Sequence, residues 1–347
     1  MELLNQTIKN IEEISIDPEG KIRERFDNLA IPKGSLGRLE EFATIYASIK
    51  KLTSPKINHK AVFTMAGDEG VSAFPQAVTG QMVRNFLNGD ATINLFARHV
   101  GARVIIVDCG VNADFKPAEG LRIKKVGYGT ANMLDGPAMS YKQAVESLEV
   151  GIEVLLDEIP VGLDIIATGD MGIANTTPSS AIIACLTGME VSRVTGKGTG
   201  LDNSGWEKKV RVIEKVLKVN KPDSLKPLEV LAKVGGFEIG AIAGLCLAAA
   251  SRRIPVLIDG FVSTAAALIA TAIEPKVNGY LIASHISAEN GHLIALEKLG
   301  KRAIFDLNLR LGEGTGAVLG LSLVEAGVKI LSQTATFSEA CVSRPDF

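Results

Sequence analysis

A chain of 347 residues is long enough for one large core or two smaller ones, and long enough for an enzyme. Its 37 basic and 39 acidic side chains leave a formal charge of -2, which excludes the basic surface that a nucleic-acid backbone requires. Four cysteines with no C-x-x-C pair argue against a disulfide framework or a zinc site, and the first residues lack the apolar run of a secretory signal, so a cytoplasmic protein is expected.

In chain order, residues 1–29 are helical in pattern with no strand beside them. AVFTMAG at 61–67 reads as the first strand, the stretch 76–99 as helical, and RVIIVDCG at 103–110 as the second strand. The loop at 112–137 is long and punctuated by glycines, a pattern often tied to function. A helix over 142–158 leads to the strand LDIIATG at 163–169. Helical stretches follow at 206–219 and 237–251; the apolar tract AIAGLCLAAA inside the latter is too short to cross a bilayer and reads as a buried helix, so no membrane is expected. Gly236, Gly240 and Gly244 leave it a flat ridge for close packing on the sheet or across a dimer. PVLIDG at 255–260 and GYLIASH at 279–285 complete the strands, with helices at 261–273 and 289–299, and 316–335 is again helical. The apolar runs end in Gly or small polar residues, as parallel strands buried on both faces do, and their alternation with helices predicts a doubly wound α/β sheet. Residues 30–315 form the large α/β domain in this reading, and 1–29 with 316–347 a small helical subdomain from both chain ends.

Three turns carry the candidate chemistry. In TGDMGIANTTPSS at 168–180, Thr177 reads as an N-cap and Pro178 as a first-turn residue, so the amides of 174–179 make a nest for an anion such as a phosphate monoester; a plain helix cap is the alternative. TGKGTGLD at 195–202 and LGEGTGAV at 311–318 let backbone approach a ligand closely. None of the three matches a P-loop or a dinucleotide fingerprint, which leaves a phosphorylated small molecule. Glu313, between Gly312 and Gly314, reads either as a general base of raised pKa or as an exposed loop acid favoured by a helix dipole. In AGDEGVSAFPQAVTGQM at 66–82, Asp68 and Glu69 read as capping or solvating a turn. Ser72, Phe74 and Gln81 offer a hydroxyl, an aromatic face and an amide to a flat heteroaromatic ligand, or else pack. His285, Glu289 and His292 have metal-ligand spacing for one helix face, but Asn290 and Gly291 interrupt the helix and no metal is expected.

Together PKGSLGRLE (32–40), AGDEGVSAFPQAVTGQM, GDMGIANTTPSS, TGKGTGLD, GGFEIGAIAG (235–244), LIDGFVSTAAAL (257–268) and LGEGTGA resemble the nicotinate-nucleotide:dimethylbenzimidazole phosphoribosyltransferases over nearly the whole chain. The resemblance implies a homodimer with a Rossmann-like, mostly parallel sheet and a small helical subdomain. It implies that 5,6-dimethylbenzimidazole displaces nicotinate from nicotinate mononucleotide to give α-ribazole 5′-phosphate for cobalamin assembly, with no metal and no cofactor. Carried over residue by residue, it puts the general base on Glu313. It puts phosphate and ribose contacts on Asp170, Met171, Gly172, Asn175, Thr176, Thr177, Gly312, Gly314 and Lys209, with Lys208 adjacent, and the benzimidazole on Ser72, Phe74 and Gln81. The chain departs from the family where Asp170 stands for Glu and Ala174 for a second Gly, which leaves a direct contact from the shorter Asp170 open.

Two other readings stand beside it. VLIDGFVSTAAAL superficially resembles the loop of magnesium-dependent transferases that use phosphoribosyl pyrophosphate, but has Gly260 in place of the second acid and Ala265 where a phosphate-loop glycine would help. A non-catalytic binder of a benzimidazole or nucleotide would bind without releasing nicotinate.

Overall fold

The computed structural model describes residues 1–343 apart from Ala73, Phe74 and Thr199. Six strands form one parallel sheet: β1 (Lys60–Gly67), β2 (Ala102–Gly110), β3 (Leu121–Ile123), β4 (Ile165–Met171), β5 (Val256–Ile258) and β6 (Leu281–Ala283), in the order β3-β2-β1-β4-β5-β6. β7 (His285–Ser287) and β8 (Phe305–Leu309) pair in parallel as a small second sheet. The doubly wound expectation holds, and every pairing is parallel among the described strands.

Burial on both faces explains the near-continuous apolar strands. Along β1, Ala61, Phe63 and Met65 enter one core, while Val62 and Ala66 enter the other. The first core lies under helices Tyr141–Glu158, Thr176–Thr187, Phe237–Ser251 and Phe261–Ile273; the second lies under Ala77–Asn88, Thr92–Val100 and Thr315–Gln333. Thr315–Gln333 is long and apolar enough to cross a membrane by length and composition, yet it packs on the sheet and on helix Arg38–Lys50. A third cluster joins Ile22, Phe26 and Leu29 near the N-terminus to Leu331 near the C-terminus, and Ala30 N–H donates to Ala335 O at 2.9 Å. Helix Glu2–Lys9 packs elsewhere, on Tyr141–Glu158 and Phe237–Ser251.

Three sequence expectations change. The stretch 76–99 is two helices, because Gly89 (φ 83°) terminates the first in the left-handed conformation. The loop at 112–137 contains the edge strand β3, too short to show a period. The glycine ridge meets a helix instead of the sheet or a dimer partner: a Cβ at Gly244 would lie 1.9 Å from Leu148 O, and one at Gly151 would lie 1.9 Å from Ala241 O. Helices Tyr141–Glu158 and Phe237–Ser251 approach backbone to backbone, and glycine on both sides permits it.

Candidate active site

The strand order reverses between β1 and β4, so the loops leaving their carboxyl ends diverge and open a crevice. A cavity of about 640 Å³ occupies it, within the range of small-molecule sites. The three glycine turns meet there: 170–177 after β4, Lys197, Gly198 and Leu201 from the second turn, and 310–313 from the third. Val71, Pro75, Val78 and Met82 supply an apolar wall.

On the β4 side, the chain reverses at Ala174, whose φ of 73° is left-handed and explains why glycine suits that position. The helix begins at Thr176, so Asn175, not Thr177, is the N-cap, and Pro178 still fits the first turn. Asn175 does not cap with its side chain; its Nδ2 donates to Asp170 Oδ2 at 2.9 Å. Ile173 N–H donates to Thr79 Oγ1 at 3.2 Å, which ties the turn to helix Ala77–Asn88. Lys209 Nζ donates to Thr176 Oγ1 at 2.7 Å and to Gly196 O at 3.3 Å. Of the adjacent lysines, Lys209 is buried and Lys208 is exposed at the rim. Burial draws the Lys209 ammonium down to about 8, against the opposing charge of Glu289. Gly198 (φ 56°) rides over this contact; a Cβ there would lie 3.3 Å from Thr176 Oγ1.

Glu313 faces the same cavity from the third turn. Its N–H donates to Asp170 O at 3.1 Å and its carbonyl accepts from Thr64 Oγ1 at 2.9 Å, which fixes a left-handed residue (φ 64°) between two strands. β4 passes so close beneath that a Cβ at Gly169 would lie 2.3 Å from Glu313 O. The carboxyl is buried, and its Oε2 has no hydrogen-bond partner. Burial lifts its pKa to about 7, with the Asp259 charge adding and the Ile93 amide opposing. Asp170 is lifted further, to about 8, by burial first and then by the carboxyls of Asp259, Glu238 and Glu313, against the Asn175 hydrogen bond. Asp259 accepts from Gly314 N–H (3.3 Å) and Ala317 N–H (2.9 Å) and so anchors the turn to the start of helix Thr315–Gln333. The exposed-loop reading of Glu313 is thereby overturned.

Asp170, Met171, Gly172, Asn175, Thr176, Thr177, Lys209, Gly312 and Glu313 therefore share one cavity wall. Gly314 stands behind Glu313, packed near Val62, outside the lining. Ser72 is half-buried and Gln81 exposed; neither lines the cavity, although Val71, Pro75, Val78 and Met82 around them do. Phe74 lies outside the described residues. Sequence reading missed Thr79, Asp259, Ser287 and Arg310 as wall or support; Asp259 sat in the quoted LIDG block without a role. Asp68 and Glu69 are buried, not solvated: Asp68 Oδ2 accepts Asn112 N–H at 2.8 Å, and burial beside Glu238 pushes the pKa of the Glu69 carboxyl well up.

The helix-face spacing of His285, Glu289 and His292 is not formed, because His285 lies on β7 and His292 opens a helix. His292 Nδ1 accepts Ser287 N–H at 2.8 Å and its Nε2 meets Thr264 Oγ1 at 2.9 Å, so both ring nitrogens are used and burial keeps the ring neutral, with a pKa near 3. No metal-holding group of three such side chains occurs among the described residues. A second cavity of about 430 Å³ near Tyr141 contains Glu229 and Lys233, which already pair at 2.5 Å.

A family model described as phosphoribosyltransferase matches residues 11–342. The nicotinate-nucleotide–dimethylbenzimidazole phosphoribosyltransferase of Desulforudis audaxviator is 52% identical over 99% of both chains, and that of Geotalea uraniireducens is 51% identical over 100% of both. The crystal structure of CobT from Thermus thermophilus superposes with a TM-score of 0.90 at 42% identity, covering 94% of this chain and 100% of that one. The parallel sheet, the cavity at its switch point and these matches together establish that the chain belongs to the nicotinate-nucleotide–dimethylbenzimidazole phosphoribosyltransferase family.

Proposed function

We propose that this enzyme transfers the 5-phosphoribosyl group of nicotinate mononucleotide to 5,6-dimethylbenzimidazole, releasing nicotinate and α-ribazole 5′-phosphate. One observation carries the reading: Glu313, whose buried carboxyl leaves Oε2 without a partner, lines the same cavity as the 172–177 turn and Lys209. In this reading the amides and hydroxyls at the start of helix Thr176–Thr187, with Lys209, hold the 5′-phosphate. Glu313 takes the proton from one imidazole nitrogen while the other nitrogen attacks ribose C1′. The bond from C1′ to the pyridinium nitrogen breaks with its electron pair leaving on nicotinate, so the anomeric centre inverts from β to α. A pyridinium needs little acid assistance. The pKa values support the division of labour, because Glu313 near 7 is the carboxyl available as a base and Asp170 near 8 stays protonated beside it.

Glu313→Gln is expected to fold and bind nicotinate mononucleotide but to lose about 10²–10⁴-fold in turnover. Nicotinate release measured across a panel of bases, with and without EDTA, checks it. Near-normal turnover would move the base elsewhere. Release abolished by EDTA would favour the magnesium-dependent alternative, and binding without release the non-catalytic one.

The homodimer and the cytoplasmic location belong to the same proposal. Leu293, Leu307 and Leu311 are exposed, and Leu311 lines the cavity, so a second copy would cover apolar surface at its mouth. All four cysteines are free, which suits a reducing compartment. Sedimentation velocity checks the dimer; a monomer at assay concentration would refute it.

A further inference from the structure

We propose that Glu289 is a positioning residue for the phosphate end of the site, holding Lys209 as its cation. The inference rests on the reading of Lys209 as the phosphate ligand. Glu289 follows β7 and lines the cavity, 6% exposed, with Oε2 fully buried and lacking a hydrogen-bond partner. A buried carboxylate without a partner is costly to the fold, so a compensating role is expected where one is kept.

Its surroundings name that role. The carboxylate lies against Gly196; a Cβ there would stand 1.9 Å from Glu289 Oε2. Gly196 O is also an acceptor of Lys209 Nζ. Carboxylate and ammonium thus flank one peptide unit, and the glycine is what admits the carboxylate. The other charged groups lining the cavity can each be placed. Lys208 on its own helix is exposed, Lys197 donates to Asn203 Oδ1 at 2.8 Å, and Arg310 donates to Gly198 O at 2.8 Å. Asp170 is on the β4 turn that also carries Thr176, with its carboxyl held by Asn175 Nδ2, Glu313 is on the third turn, and His285 on β7 lies beside Asp259. His292 is neutral. Glu289 is the group whose charge acts on the Lys209 ammonium, opposing the burial that pulls it down to about 8. Without that charge Lys209 gives up its proton at lower pH, and the phosphate is left with neutral donors.

The test is the pH profile of kcat and KM for nicotinate mononucleotide. In Glu289→Gln the alkaline limb of kcat/KM is expected to move to lower pH. KM should rise about tenfold at about pH 8 and about twofold or less at about pH 6.5, with kcat little changed. A limb that stays in place overturns the inference. Glu289→Asp keeps the charge and should fall between the two; Asp and Gln variants with the same limb would mean volume, not charge, is at work. Lys209→Met separates the layers. If it leaves KM unchanged, the phosphate reading itself fails; if it raises KM while Glu289→Gln leaves the limb alone, only the role of Glu289 fails. Should the Gln variant not fold, an NMR titration of the Lys209 ε-carbon in the intact enzyme decides: a cationic Lys209 at neutral pH supports the inference, and a neutral one overturns it.

Discussion

Glu313 is costly to the fold in its ionised form, and the sign of that cost can be measured. Its pKa rises from 4.5 toward about 7 on folding, so the folded chain binds a proton that the unfolded chain has lost. Stability therefore falls as pH rises from about 4.5 through about 7 and stays lower above. Glu313→Gln, which cannot ionise, should be more stable than the parent at pH 8, with the gain vanishing near pH 4. Urea unfolding at the two pH values checks this; an equal difference at both would mean that the variant acts by packing. In the proposed reaction only the Glu313 carboxylate can accept the proton, so the acid limb of kcat/KM is expected near 7. Much of this site was legible in the residues, since Gly-Thr turns announce backbone that must approach a ligand. Glu289 and Asp259 were not legible as partners, because their roles arise from Gly196, Gly314 and Ala317, distant in the chain.

At the level of elements, the strands were readable where they are buried on both faces, as in β1, β2 and β4, whose apolar runs have no polar side. β3 and β7 span three residues each and carry no period to read. Gly89 ended a helix that the apolar pattern alone would have continued. Strand and turn are coupled most tightly where β4 runs under the third turn. Gly169→Ala would set a methyl 2.3 Å from Glu313 O, and backbone must yield. A displacement of about 1 Å at the proposed base is enough to lower turnover about 10²-fold, while overpacking costs about 1–3 kcal/mol. Single-turnover rates and thermal melts on this variant test the coupling; a normal rate in a folded protein would show that the turn relocates without moving the carboxylate.

For the whole molecule, the fold class followed from counting alternating runs, whereas the position of the cavity followed only from strand order, which no local pattern encodes. β1 lies beside both β2 and β4, and that adjacency brings turns from residues 66, 170, 198 and 313 to one place. The positive φ of Glu313 has a consequence for the molecule as a heated object. Glycine is at ease there and glutamate is not, so Glu313→Gly should melt later than the parent even as the proposed chemistry is lost, by relief of about 1 kcal/mol of backbone strain and of a dehydrated charge. Anyone selecting this protein for heat resistance alone would be led to remove its proposed catalyst first.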